Sequence, residues 1–224
     1  MGEIIEISDG IVELKTVSVS RRVRLNDFTE ALLQSSGVRT PILPHGVIFY
    51  ASKDYKKVYL IEREPAVVKI LYADDRGHPK EYTLAFPYHY FLILFENYAF
   101  EKCFFYFRNQ RMASMDDKFC TPPLPNLHSP DCAVCLGDFK YKVTAEAPDK
   151  INSLISYFFA STFNTDLNQF LRDKVPQQIT ALKQQTDELC FKAWQRLNFN
   201  DVCAVEWFQN QTLSKCLDNI FGKE

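Results

Sequence analysis

The chain has 224 residues, of which 46% are hydrophobic and 14% aromatic, enough for one sizeable core with an appended helical part. Its 26 Lys and Arg against 28 Asp and Glu leave a net charge of −2, and apart from Arg21-Arg22 and Lys56-Lys57 the basic residues are scattered. No global field favours nucleic acid or an anionic membrane, so partners are expected among proteins and small molecules. The opening MGEIIEISDG lacks the charged, apolar, small-residue order of a secretory signal. The longest apolar run, residues 84–95, is interrupted by Pro87 and His89 and falls short of the ~20 residues of a membrane span. Seven cysteines, an odd count at low density, favour free thiols in a reducing cytoplasm.

Two β-leaning runs, residues 3–7 and 11–15, flank Ser8-Asp9-Gly10, an Asp-Gly hairpin signal. Asn26 can cap a helix with Phe28, Ala31 and Leu32 on one face, ended by Gly37. From Gly46 to Asn109, β-branched and aromatic residues predict strands at 47–50, 58–61, 66–72, 82–86, 90–95 and 100–107, read as one antiparallel meander. Aromatics in 100–107 are too dense for a strand with one polar face, which places it centrally or under a helix.

Beyond residue 139 the period becomes helical. Asp149 is expected to cap a helix carrying Ile151, Leu154, Ile155, Phe158, Phe159, Thr162 and Phe163 on one stripe. Pro176 suits the first turn of a longer helix with Ile179, Leu182, Leu189, Ala193, Trp194 and Leu197, and a last helix is expected over 201–221. The expectation is an α+β fold, an antiparallel meander with packing helices. Residues 1–174 form the main domain, with its N-terminal hairpin, and residues 175–224 a C-terminal helical extension that covers the sheet or binds a partner.

Between sheet and helices lies TPPLPNLHSPDCAVCLGDF, residues 121–139, which reads as an irregular loop. Pro122, Pro123, Pro125 and Pro130 remove backbone donors and fix φ, giving an extended, stiff segment. Near its end Cys135 precedes Gly137, where the backbone can bend away, a suitable seat for a thiolate nucleophile. Asn126, nine residues earlier, can offer a neutral amide to an oxyanion or bond its own loop. Asp138 can orient an incoming amine or be a solvated turn residue. His128 is near in sequence, but no histidine has the setting of a cysteine-protease base, so thioester exchange, which needs no strong base, fits better than hydrolysis.

Pro125-Asn126, a short turn and Val134-Cys135-Leu136 resemble the His-Pro-Asn and Val-Cys-Leu segment around the active cysteine of ubiquitin-conjugating enzymes. The pattern is closer to bacterial relatives of that superfamily, prokaryotic family D and the plasmid-associated PRTRC protein B group. Residues 158–163, Phe-Phe-Ala-Ser-Thr-Phe, resemble the segment on the helix after their loop. The resemblance covers residues 46–166 and implies a ubiquitin-conjugating-like fold with Cys135 as thioester-forming cysteine and Asn126 supporting the loop or the oxyanion. Leu124 stands where the eukaryotic enzymes have histidine. The implied partners are a ThiF-like activating enzyme, a small ubiquitin-like protein and a JAB-type peptidase; no cofactor or metal is implied. The same family includes scaffolds, so a non-catalytic interaction module of a plasmid or defence system is the alternative.

Structural readings compete for other residues. Cys132-x-x-Cys135 suggests redox chemistry or, with Cys120 and His128, a zinc site; neither the missing second pair nor the sequence after Cys135 supports these. Cys103, Cys190, Cys203 and Cys216 read as core, His45 and His89 as partly buried packing residues, and Glu62-Arg63-Glu64 as a solvent-facing strand end.

Overall fold

Pro65 and Pro87 divide the strand-rich half of the chain. In the computed structural model, which describes residues 4–8, 11–15, 20–24, 43, 45–73, 77–97, 99–128, 130–137, 148–164 and 187–222, each proline lies between two strands that enter different sheets. β4 (Val47–Lys53), β5 (Lys56–Arg63), β8 (Tyr88–Glu96) and β9 (Ala99–Arg108) pair antiparallel in that order. The hairpin of β6 (Ala66–Ala73) and β7 (Pro79–Phe86) leaves them to join β13 (Thr162–Phe163), which runs parallel to β6. The single meander is therefore corrected to two sheets. A proline offers no donor to the ladder and restrains its predecessor, so each is a place where pairing changes.

The fold is mixed α+β and mostly antiparallel. Two compact units are present, Met1–Leu43 and Pro44–Glu224. In the first, β1 (Ile4–Ser8) and β2 (Ile11–Lys15) form the expected hairpin, with Ser8 opposite Ile11. A third strand, β3 (Ser20–Arg24), pairs with β2; its Ser-Arg-Arg-Val-Arg sequence carries no apolar alternation by which to recognise it. The helix expected after Asn26 lies outside the described residues.

In the second unit, Gly46 immediately precedes β4 with φ +84°, and its carbonyl accepts from Glu62 N at 2.8 Å. A Cβ there would lie 2.8 Å from Glu62 O and 2.7 Å from Arg63 Nη1, so only glycine fits. Glu62-Arg63-Glu64 is not simply a solvent-facing end. Tyr90 Oη donates to Glu62 Oε2 at 2.7 Å, and Arg63 Nη2 donates to Asn152 Oδ1 at 2.9 Å, tying β5 to β8 and to the helix beyond. His45, expected to be partly buried, is exposed.

At its centre, along β8 and the second half of β9, the β4–β5–β8–β9 sheet is buried on both faces, which explains the aromatic density of β9, whereas β4 at the edge has no fully buried residue. On one face Phe91, Phe105 and His89 meet α1 (Pro148–Ala160), with the Phe158 ring 5.3 Å from Phe105 and 6.2 Å from Phe91. Trp194, in α2 (Asp187–Trp194), stacks 5.4 Å from Phe86 and donates its indole N–H to Ala85 O. Burying such rings contributes roughly 25 cal/mol per Å² of apolar surface, with about 1 kcal/mol more per well-placed pair. The opposite face seats Val58, Leu60, Tyr90, Leu92, Phe104, Tyr106 and Phe119 against Leu213, Cys216 and Leu217. Residue parity along β9 separates the faces: Phe105 and Phe107 look one way, Phe104 and Tyr106 the other.

Two helical expectations are corrected at their ends. α1 begins at Pro148, so Asp149 lies inside the first turn rather than before it. It stops at Ala160, so Thr162 and Phe163, placed on its stripe from the sequence, form β13 instead. Ser161 marks the change, its Oγ donating to Phe158 O at 2.7 Å. Most of the helix expected after Pro176 lies outside the described residues; its end is α2, and Leu197 follows it.

The single last helix is also corrected. α3 (Phe199–Ala204) is capped by Asn198, whose side chain accepts from Asn200 N and Asp201 N, while Asp201 bonds back to Asn198 N. Thus Asp201 completes a capping box rather than opening the helix. Val205 is extended, Trp207 is buried, and β14 (Gln209–Thr212) pairs with β10 (Lys118–Cys120) before α4 (Leu213–Phe221) starts behind Thr212. Lys56 Nζ donates to Ile220 O at 2.8 Å, a cation on the helix's C-terminal carbonyls. No described helix is long and apolar enough to cross a membrane.

Candidate active site

The proline-rich segment leaves β9 and returns to its edge. β10 meets β9 at Cys120↔Phe107; β12 (Ala133–Val134) meets it at Ala133↔Phe104 and pairs with β11 (Leu127–His128). The expectation of a wholly irregular loop is corrected: its second half is a small hairpin hydrogen-bonded to the sheet. The prolines remain outside these strands. Thr121 to Leu127 are all buried, so the stiff segment runs through the structure rather than over it. Loop backbone buried in this way needs partners for its polar groups. Thr121 N donates to Phe208 O at 2.8 Å, and Arg108, 6% exposed, holds the preceding stretch through Lys118 O and the Asp117 carboxylate.

Asn126 has φ +64°, a left-handed conformation that asparagine tolerates well. Its Nδ2 donates to Thr162 O at 3.1 Å and its Oδ1 accepts from Asn164 N at 3.3 Å. A carbonyl can only accept and an N–H only donate, so these two bonds fix which end of the amide is which. The side chain thus pins the loop to β13. Its main-chain carbonyl accepts from Cys135 N at 2.8 Å, extending the β11–β12 pairing by one bond and joining the two residues that the sequence singled out.

Cys135 is exposed, between half-buried Val134 and buried Leu136. Its backbone is bonded and its flanks are seated while its thiol faces outward. Among the described residues its Sγ has no hydrogen-bond partner, and Gly137 follows with φ +53°. Asp138, the third candidate, lies outside the described residues, and His128 is exposed at the hairpin.

Cys132 is the opposite case. It is 1% exposed, with φ +63°. Its sulfur lies 3.6 Å from Thr121 Oγ1 and accepts from Asn210 Nδ2 at 3.2 Å. The turn around it is held by Tyr106 Oη donating to Asp131 O at 2.7 Å, Asp131 Oδ1 accepting from Ala133 N, and Cys132 N donating to His128 O. Because the two residues between the thiols form a strand, their Cα atoms are about 10 Å apart at ~3.3 Å per residue. A disulfide allows less than ~7 Å. In this conformation the two thiols are therefore too far apart to be bridged, and neither is in a disulfide. Among the described residues no group of three His, Cys, Asp or Glu side chains could hold a metal ion.

Burial sets the remaining thiols apart. It pushes Cys120 and Cys216 each up to about 11, and Cys103 higher still, so these sulfurs stay protonated at neutral pH. Cys103 and Cys216 are buried, as expected, whereas Cys190 and Cys203 are only half-buried. His89 is buried among Phe86, Phe91, Phe105 and Phe159, its Nδ1–H directed at Pro87 O. Burial, with a smaller contribution from the Arg63 charge against the Pro87 hydrogen bond, lowers it to about 4.

Sequence reasoning did not find Tyr106, Thr121, Arg108 or Asn210, the residues that hold the loop. Asn210 lies in a segment with a helical appearance, and no local pattern reveals that it reaches a turn eighty residues earlier, at Pro130 O. Comparison with known proteins finds no matching family model, no matching curated protein and no matching solved structure.

Proposed function

We propose that the chain is a ubiquitin-conjugating-like transferase in which Cys135 carries the C-terminus of a ubiquitin-like protein as a thioester. The observation that carries this reading is the contrast within the loop: Cys135 alone pairs an exposed sulfur with a backbone bonded on a rigid frame. The Cys135 thiolate attacks the modifier thioester on an activating enzyme, forming the Cys135 thioester and releasing the activating enzyme's thiol. An amine or a second thiol on the acceptor then attacks that carbonyl, and Cys135 leaves as thiolate. Exchange between thioesters is nearly isoenergetic, so the bare setting of Cys135 is compatible with the first step. Asn126 fits loop support, since its amide is bonded to Thr162 O in β13 and to Asn164 N just after it.

The four-strand path β4–β5–β8–β9, then the cysteine loop, then α1 supports a ubiquitin-conjugating-like arrangement with β6–β7 as an inserted hairpin. The ThiF-like activating enzyme, the ubiquitin-like modifier and a JAB-type peptidase are proposed as partners, with a reducing cytoplasm as the setting for seven free thiols. The alternative, a non-catalytic interaction module, draws on one observation: no described acid or base is hydrogen-bonded to the Cys135 sulfur. Conjugate formation with a cognate activating enzyme and modifier distinguishes the two. It is lost in Cys135→Ala and retained in Cys132→Ala; equal activity of both variants sinks the transferase assignment.

A further inference from the structure

Arg21-Arg22 is one of two basic clusters in a chain of net charge −2, and the chemistry at Cys135 makes no use of it. Strand pairing places it on a sheet edge. The N-terminal sheet runs β1–β2–β3, so among the described residues β3 pairs with β2 alone and keeps an outer row of backbone N–H and C=O groups open. Three of the five residues of that strand, Ser-Arg-Arg-Val-Arg, are arginines.

The register shows how little of this charge the sheet itself answers. Arg22 lies opposite Glu13, which lies opposite Glu6. Arg21 lies opposite Leu14 and, one strand further, Ile5; Arg24 lies opposite Ile11 and then Ser8. Two of the three arginine rows therefore hold no carboxylate. By the two-residue period of a strand, Arg22 and Arg24 belong to one face and Arg21 and Val23 to the other.

Charge on an edge deters indiscriminate pairing, and it also selects what pairs. A second copy added antiparallel through β3 and centred on Arg22 would set Arg22 against Arg22, and like charges directly opposite are destabilising. A nucleic acid lying across the face of Arg22 and Arg24 would meet the Glu13 and Glu6 positions in the same row. A strand laid along the outer edge has β3 as its only neighbour, about 4.8 Å away, with β2 and β1 about twice and three times as far. Acidic residues in such a strand would stand opposite the arginines while its main chain bonds to β3.

We propose that β3 is a docking edge for an extended acidic segment of a partner protein, added as a fourth strand. The edge rests on neither the Cys135 thiol nor the transfer reading. Added antiparallel, the segment reads acid, apolar, acid, acid opposite Arg24, Val23, Arg22 and Arg21. The test titrates the isotope-labelled full chain with the peptide acetyl-Thr-Glu-Val-Glu-Glu-Thr-amide, with its Gln-for-Glu analogue and oligothymidylate as comparisons. The acidic peptide is expected to saturate about tenfold more tightly than the neutral one, more so at low ionic strength, and to slow hydrogen exchange at the alternate β3 amides that do not bond β2. Arg21→Gln combined with Arg24→Gln is expected to weaken the acidic peptide several-fold and leave the neutral one unchanged. Equal binding of the two peptides, tighter binding of oligothymidylate, unchanged exchange along β3 in the parent chain, or no saturable binding overturns the proposal.

Discussion

Cys132 and Cys135 stand three residues apart in one loop and differ in exposure and in what their sulfurs touch. The first is buried in a polar nest, in a left-handed conformation unusual for cysteine, with its turn held from β9 and β14. The second is exposed, with its backbone N–H bonded to Asn126 O just beyond β12. A sequence motif that treats two cysteines as a pair misses this, because the two strand residues between them hold their Cα atoms about 10 Å apart and only one of the two is packed into the structure. One thiol serves the frame, and the frame presents the other.

The largest expected consequence is kinetic. Native protein treated briefly with iodoacetamide should be modified at Cys135 at least ~100-fold faster than at Cys132, because alkylation needs an accessible thiolate. Peptide mapping reads the ratio, and denaturation should remove most of it. Comparable native rates would mean that the nest around Cys132 is open in solution.

Acid should weaken the sheet that carries both thiols. Burial holds His89 near a pKa of about 4, below the 6.5 of a free imidazole, so the unfolded chain binds the proton first as pH falls. The contribution of neutral His89 is fully present above pH 6.5 and lost as pH falls towards 4. The loss is about 3 kcal/mol. In His89→Phe, urea melts across this window should lose that part of their pH slope; an unchanged slope would assign it to other groups.

Asn126→Ala removes the bonds to Thr162 O and Asn164 N and puts a less tolerant residue at φ +64°. It should cost about 2 kcal/mol. The loss of anchorage should also narrow the gap between the two alkylation rates. If stability and rates are both unchanged, the amide is not what fixes the loop. The smallest difference is between the simple truncations. Cys132→Ala should cost about 1–2 kcal/mol through lost packing and Asn210's lost acceptor, while Cys135→Ala should stay within about 0.5 kcal/mol of the parent in the same melts.

Much of this architecture is legible in the chain. Strand positions from β4 to β9 follow from β-branched and aromatic runs, and α1 follows from the spacing of Ile151, Leu154, Ile155 and Phe158. Pairing is not: nothing local says that β5 skips to β8, although Pro65 and Pro87 mark where the path breaks. Thr162 and Phe163 continue a helical spacing, yet Phe163 serves the β13–β6 pairing, where its burial is decided by partners ninety residues away. At the site, the sequence singles out Cys135 and Asn126 by residue type and loop composition. The asymmetry of the two thiols emerges only from the β12 hairpin, and the anchors Tyr106 and Asn210 act across distances that no local pattern encodes.

The most direct measurement of the central claim is intact-mass spectrometry of the purified chain after incubation with activating enzyme, ATP and ubiquitin-like protein, with and without reductant. The account predicts one adduct of the modifier's mass less water, removed by thiol reductant and mapping to Cys135. No adduct from an activating enzyme shown to be charged with its modifier, or an adduct that maps to Cys132 or survives reduction, would contradict it.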